Sequence, residues 1–210
     1  MCFSPEASFG LAAVLTVVGA LSVSSAKTPQ GKLFGLAPFF FAIQQYAEGF
    51  LWLHIPCCEE FSENAEPLQY LFLFIALIVY PLFFPLSAFL LERKRSRRRA
   101  ILLFLIAGIL VTLRNISDLL YYHPEAAIIN QSIKYFPFEY VWYAKLLYLV
   151  IITTPLLLSS LKGMWIVGGL TLIGFIVSLT LYTWTFTSVW CFFAALFSIC
   201  VYYIIRKNHL

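Results

Sequence analysis

The sequence predicts an all-α integral membrane protein, a single bundle of seven transmembrane helices with its N-terminus outside the cytoplasm and its C-terminus inside. Of the 210 residues, 61% are hydrophobic and 11% are charged, against about 25% charged in an ordinary soluble domain. Lipid is the solvent in which so much outward-facing apolar surface is stable. The basic residues behind the net charge of +4 lie between apolar segments, so we expect no binding to nucleic acid.

The seven predicted helices each approach the ~20 residues that a helix needs to cross ~30 Å of hydrocarbon. Charged or turn-forming stretches separate them, including the basic run at 92–99 and an acidic stretch at 57–66. The segments lie at about 8–25, 33–55, 70–91, 100–122, 141–161, 164–182 and 188–205. Prolines at 81, 85 and 155 should bend two of these helices, either to open space for a ligand or simply because membrane helices tolerate proline.

The orientation follows from the loop lysines and arginines, which cytoplasmic loops retain. One side of the predicted bundle carries only Lys134. The other side carries eleven basic residues: Lys27, Lys32, Arg93, Lys94, Arg95, Arg97, Arg98, Arg99, Lys162, Arg206 and Lys207. This asymmetry predicts that the N-terminus lies outside the cytoplasm and the C-terminus inside. Trp52, Trp142, Trp184 and Trp190 then fall at the outer boundary, as an aromatic belt would.

The longest predicted loop, residues 123–140, has β-branched and aromatic residues on both sides of a polar turn. One interpretation is a short hairpin or lid over the outer face. The other is an interfacial loop that dips its aromatic side chains into the lipid headgroups.

Four ionisable residues lie inside the predicted helices, where charge is costly and is usually functional, paired, or both. They are Glu48, Arg114, Asp118 and Lys145. Counting residues at ~1.5 Å each places all four in one layer of the outer third of the membrane. Further polar or aromatic residues at this level are Gln44, Gln45, Trp52, His54, Asn115, His123 and Tyr148.

Two interpretations of this layer are open. The first is a polar pocket that opens to the outside, with Glu48 and Asp118 as acid and base and the remaining residues as ligand-binding groups. The second is a structural network of ion pairs among the helices, in which Arg114 and Asp118 could even pair within their own helix.

We favour a protein that binds or chemically processes a small polar or amphiphilic ligand, such as a lipid headgroup, from the extracytoplasmic side. If it is an enzyme, it is a membrane-embedded hydrolase or transferase with carboxylate acid/base chemistry. A small-solute transporter and a structural or partner-binding subunit are the alternatives. Transporters usually bind their substrate near the membrane midplane, and the charged layer lies outward of it, which weakens the transporter alternative. We expect no cofactor and no metal site, because no metal-type spacing of His or Cys occurs.

Cys2 is a further candidate. Removal of Met1 would expose an N-terminal cysteine whose amine could act as its own base. A disulfide with Cys57 or Cys58, or simple packing, are the other interpretations.

Two segments are distinctive, Met-Cys-Phe-Ser-x-x-Ala-Ser-Phe at 1–9 and Pro-x-x-Phe-Ala-Ile-Gln-Gln-x-x-Glu-Gly-x-x-Trp at 38–52. They resemble a family of uncharacterised prokaryotic polytopic membrane proteins, and that resemblance implies no activity. It marks as pattern residues Cys2, Phe3, Ser4, Ser8, Gln44, Gln45, Glu48, Gly49 and Trp52.

Overall fold

The chain is mostly helical, and a computed structural model describes residues 4–55, 65–129, 131–138 and 141–210. The helices are α1 (Pro5–Ser25), α2 (Pro29–Gly35), α3 (Ala37–His54), α4 (Glu66–Phe74), α5 (Tyr80–Leu91), α6 (Arg95–Tyr121), α7 (Trp142–Leu158), α8 (Met164–Leu181), α9 (Phe186–Ser198) and α10 (Cys200–Asn208). A π-helical turn, Ile75–Val79, joins α4 to α5, and a 3₁₀ turn, Thr183–Thr185, precedes α9. Cys2, Phe3, Cys57 and Cys58 lie outside the described residues.

Five helical segments among the described residues are long and apolar enough to cross a membrane. They are Pro5–Ser25, Glu66–Leu91, Arg95–Tyr121, Met164–Leu181 and Thr183–Asn208, while Trp142–Leu158 is apolar but shorter. Large apolar side chains remain exposed along them, such as Leu103, Leu110 and Leu113 on α6. This outward apolar surface is what a lipid environment requires, and it supports a membrane protein.

Several helices begin earlier than the sequence predicts, and in α1 and α6 the reason is local. In α1 the side chain of Ser4 accepts a hydrogen bond from the Ala7 N–H (3.2 Å), and Pro5 follows at the first helical position, a favourable start. In α6 the helix begins at Arg95, inside the basic run, because arginine is itself a good helix former.

The α1–α3 pair is packed through two reciprocal contacts between phenylalanine and glycine. A side chain at Gly49 of α3 would meet the ring of Phe9 from α1 at 2.8 Å, and one at Gly19 of α1 would meet the ring of Phe39 from α3 at 2.8 Å. The two helices are antiparallel neighbours, and the absence of a Cβ on each glycine makes room for the ring. Phe9 and Gly49 belong to the two distinctive segments, which are therefore in contact.

Residues 125–129 and 132–136 form a hairpin, as one of the two interpretations of the long loop predicts. Strands β1 (Glu125–Ile129) and β2 (Ser132–Phe136) are antiparallel, with Ala127 opposite Lys134. Strand β2 is buried, and the Ser132 hydroxyl donates to the Thr185 hydroxyl (2.7 Å). We call the end of the bundle that carries this hairpin the hairpin end, and the opposite end, at residues 93–99, the basic end.

At the basic end, Glu92 joins the end of α5 to the connection between α7 and α8. Its carboxylate accepts hydrogen bonds from the Ser160 N–H and hydroxyl (both 2.6 Å) and from the Lys94 N–H (2.7 Å). Burial raises the pKa of Glu92, but the bonds from Ser160 and Lys94, with the charge of Arg97, outweigh it, so the pKa lies below its ordinary value.

Candidate functional site

A cavity of ≈ 240 Å³ opens near the hairpin end, between the π-helical turn, α6, α7 and α9. We call it the lateral cavity. Its walls combine apolar and polar side chains: Ala76, Leu77, Val111, Arg114, Asn115, Val141, Tyr143, Ala144, Lys145, Leu147, Tyr148, Phe186, Thr187, Trp190 and Cys191. Of the predicted ligand-binding residues, it therefore brings together Arg114, Asn115, Lys145 and Tyr148.

Two cationic side chains contribute to the lateral cavity. The Arg114 side chain is 78% exposed, and its Nε lies 3.5 Å from Oδ2 of Asp118, one helical turn away on α6. The Nζ of Lys145 lies 4.8 Å from the centre of the Phe186 ring, a cation–π contact. Among the described residues that line this cavity, Arg114 and Lys145 are the charged ones.

The π-helical turn and Pro81 leave two backbone carbonyls beside this cavity without their usual donors. Pro81 has no N–H for the Leu77 oxygen, and the Asn115 amide donates to that oxygen instead (2.7 Å). The Tyr80 N–H bonds to Ile75, five residues back, so the Ala76 oxygen accepts from the Tyr148 hydroxyl. Asn115 and Tyr148 therefore supply the hydrogen-bond donors that these two carbonyls lack, and both residues also line the cavity.

Gln44 makes several hydrogen bonds deeper in the bundle. Its Nε2 donates to the carbonyl oxygen of Phe72 (3.3 Å) and to the Cys191 sulfur (3.5 Å), and its Oε1 accepts from the Tyr80 hydroxyl (2.7 Å). The side chain is fully buried. These bonds connect α3 to α4, α5 and α9, so Gln44 acts as an interhelical cross-link.

Glu48 lies in the closed interior, with no exposed surface. Its Oε2 accepts a hydrogen bond from the Gln45 Nε2 (3.1 Å), and the Tyr135 hydroxyl lies 3.5 Å from its Oε1. The Tyr135 ring stacks on Phe72 with a centroid distance of 4.5 Å and an angle of 10° between planes. The hairpin thus inserts Tyr135 between Glu48 and the hairpin end.

The sequence predicts that the four charged residues share one pocket, but in the structure they do not. Arg114 and Lys145 line the lateral cavity and Asp118 adjoins it through Arg114, whereas Glu48 is not among its lining residues. Counting residues gives depth along a helix but not the direction in which a side chain points. Arg114 and Asp118 form an ion pair within α6, a pairing that the second interpretation, a structural network of ion pairs, includes.

The remaining predicted site residues are not among those that line the lateral cavity. The Nδ1 of exposed His54 is 2.7 Å from the Phe50 carbonyl oxygen of its own helix. His123 lies 3.6 Å from the Glu66 carboxylate and 3.4 Å from the Tyr70 hydroxyl. Trp52 is half-buried and packs against the core. Cys2 lies outside the described residues, and among those residues no group of three His, Cys, Asp or Glu side chains could hold a metal.

Three contributors to these sites were not predicted as site residues. Trp190, assigned to the aromatic belt, is buried and donates to the Thr171 carbonyl oxygen (3.3 Å), so that assignment is wrong. Trp142 and Trp184 are mostly exposed. Cys191 was interpreted only as a packing residue, and Tyr135 only as part of the loop. Alternation within residues 132–136 is the one signal that could have placed Tyr135 on a buried face.

The fold and the two sites define an apolar helical bundle with a lateral cavity and a buried carboxylate. The chain belongs to the DUF6629 family, a family of unknown function whose model matches residues 1–210. This agrees with the expected membership of an uncharacterised family. No curated protein and no solved structure matches the chain.

Proposed function

We propose that the chain spans the bacterial inner membrane seven times, with the N-terminus and the hairpin end outside. The five long apolar segments and the shorter, apolar α7 support six crossings, and the 18 residues of α3 support the seventh by their length. The concentration of Arg and Lys at the basic end supports its assignment to the cytoplasm.

We further propose that the protein binds a small polar or amphiphilic ligand from the extracytoplasmic side, in the lateral cavity. One observation carries this proposal: the cavity places Arg114 and Lys145 beside an apolar wall at a position about 10 Å or less from the helix ends. Binding sites commonly combine mostly apolar walls with a few polar groups in this way. Val141, Tyr143 and Leu147 at its edge are exposed by 51–61%, so lipid would adjoin the opening.

Transport of a small solute is the second candidate, and one observation favours it. Tyr148, Trp190 and Cys191 line both the lateral cavity and a smaller one of ≈ 30 Å³, which extends along Phe84 and Val201. A solute that passed these three side chains would move from the hairpin end toward the basic end.

Filling the lateral cavity tests the binding proposal. Ala144→Trp adds a large side chain to the cavity wall, and Ala13→Trp, on the exposed face of α1, is the matched control. We expect the wild type and the control, purified in mild detergent, to retain the same small molecule on mass spectrometry, and Ala144→Trp to lose it. Equal retention by all three proteins, or no retained molecule in the wild type, would refute the proposal.

A further inference from the structure

We propose that an acidic phospholipid binds at the basic end of α6, with its phosphate against Arg95, Arg98 and Arg99 and its acyl chains along the apolar side of the same helix. This site lies at the opposite end of the bundle from the lateral cavity and goes beyond the proposed function. Its support comes from the alignment of the arginines with lipid-facing side chains, their depth, the position of Arg98 and the local charge.

The three arginines continue the lipid-facing side of α6. Arg95, Arg98, Arg99 and Leu102 are spaced as i, i+3, i+4 and i+7, and Ile106 follows about one turn later. Residues at these spacings lie on one side of a helix. The side chains of Leu102 and Ile106 are 38% and 47% exposed, and all three arginines are exposed. This side of α6 therefore presents cations followed by apolar groups, the order in which a phospholipid presents its phosphate and its chains.

The arginines lie at the depth of phospholipid headgroups. Hydrocarbon can begin only where the run of charged residues ends, at Ala100. Arg95 begins α6 five residues earlier, which is about 7.5 Å at ~1.5 Å per residue. The headgroup layer on each side of a bilayer is about 5–7.5 Å thick. The three guanidinium groups are therefore at the level of the lipid phosphates.

Arg98 is held in position by α5. Its Cζ lies 4.4 Å from the centre of the Phe89 ring, near the end of α5, a cation–π contact. This contact positions the guanidinium without supplying a hydrogen-bond acceptor, so its N–H donors still require one. A phosphate offers the bidentate acceptor that arginine binds best.

The described part of the protein does not neutralise the three arginines. None of them forms an ion pair with a carboxylate of the described residues. The nearest acidic residue in the sequence is Glu92, which is buried and accepts its hydrogen bonds from Ser160 and a backbone N–H. Like charges at these helical spacings repel one another. An anionic headgroup between them would relieve this repulsion.

Arg97 lies on the other side of the same helix and provides the matched control. Its Nη1 donates to the carbonyl oxygen of Leu158 at the end of α7 (3.1 Å), so this side chain points toward the bundle. Arg97→Gln and Arg98→Gln therefore remove the same charge from adjacent positions, and the second alone changes the proposed site.

Native mass spectrometry tests the site through the choice between two lipids. The full chain in mild detergent is mixed with equal amounts of dioleoyl phosphatidylglycerol and dioleoyl phosphatidylcholine, which share their chains and differ in net charge. We expect the wild type to retain the anionic lipid at least about fivefold more often, since one arginine near an anionic headgroup contributes a factor of about five. About a tenfold excess of glycerol 3-phosphate should not displace it, because that anion lacks the apolar contacts.

The variants test the arginines and the ring separately. Arg95→Gln and Arg98→Gln should each lower the ratio of retained lipids by about two- to fivefold, and Arg97→Gln should leave it unchanged. Phe89→Leu keeps every charge but removes the ring that positions Arg98, so it should also lower the ratio by about two- to fivefold. Unchanged unfolding in a detergent titration shows that each variant is folded.

Three results would overturn the proposal. Equal retention of both lipids by the wild type would remove the site, and an equal loss in Arg97→Gln and Arg98→Gln would show that net charge alone attracts the lipid. Displacement by glycerol 3-phosphate would make the ligand a free phosphate. Arg95 has no recorded contact in the described structure to lose, so Arg95→Gln decides the matter if Arg98→Gln is unstable. Ala144→Trp should keep the preference, which separates this site from the lateral cavity.

Discussion

Replacing Gly108 with alanine tests how closely α6 approaches α5. Pro85 has no N–H to offer the Pro81 carbonyl, and a methyl group at Gly108 would overlap that carbonyl oxygen. The obstacle is backbone, so α6 has to move away as a unit. The Asn115–Leu77 hydrogen bond of 2.7 Å lies two turns further along α6 and would be stretched by the same movement.

The expected magnitude comes from comparison with Gly169, which lies in α8 with no atom within 4 Å of an added Cβ. Alanine gains up to about 1 kcal/mol over glycine in a helix at either position, so this gain cancels in the comparison. The overlap at Gly108 costs about 1–3 kcal/mol. We therefore expect Gly108→Ala to be less stable than Gly169→Ala by about that amount.

Unfolding in mixed micelles with increasing sodium dodecyl sulfate, followed by circular dichroism, measures the difference. Equal unfolding midpoints for the two alanine variants would refute the close approach of α6 to α5.

Three further predictions concern single side chains. Asn115→Leu should lower the free energy of unfolding by about 1–3 kcal/mol, because it leaves the buried Leu77 carbonyl without a donor; the same detergent titration measures it. Tyr135→Phe should retain the stacking on Phe72 and remove the hydroxyl near Glu48, so we expect a loss of at most about 1.5 kcal/mol in that titration. Glu92 has a lowered pKa in the folded protein, so its stabilisation is complete above the pKa of an unfolded glutamate and is lost as the pH falls through the folded value; thermal unfolding should therefore depend more steeply on acid pH in the wild type than in Glu92→Gln.

Each of these predictions has its own control. Ser117→Ala removes an exposed hydroxyl that bonds within α6 and should change stability by less than about 0.5 kcal/mol. If Asn115→Leu had no larger effect than this control, the hydrogen bond from Asn115 to the Leu77 carbonyl would not stabilise the protein. Tyr122→Phe removes the hydroxyl of an exposed tyrosine and is the reference for Tyr135→Phe, which should cost more. Parallel acid profiles for the wild type and Glu92→Gln would show that Ser160 does not stabilise the ionised carboxylate.

The sequence predicts the helical, membrane-type architecture well because apolar length and charge placement are local properties. The hairpin was one of two open interpretations, since its strands are short. The arrangement of the site was predicted only in part. Glu48 and Arg114 were placed at a common depth by counting residues, yet Glu48 is buried beneath Tyr135 and Arg114 is mostly exposed. Rotation about each helix axis depends on neighbouring helices, and no single helix contains that information.

Some polar residues inside a membrane bundle replace a backbone hydrogen-bond donor that is missing, and others do not. Here Pro81 and the π-helical turn create acceptors that Asn115 and Tyr148 satisfy, and Gln44 joins Phe72, Tyr80 and Cys191. Their presence is explained by folding alone, because an unsatisfied carbonyl in hydrocarbon costs several kcal/mol. Arg114 differs from these residues, because its side chain is 78% exposed and carries a charge that satisfying a carbonyl does not require. Arg114 lines the lateral cavity, in which we propose that a ligand binds.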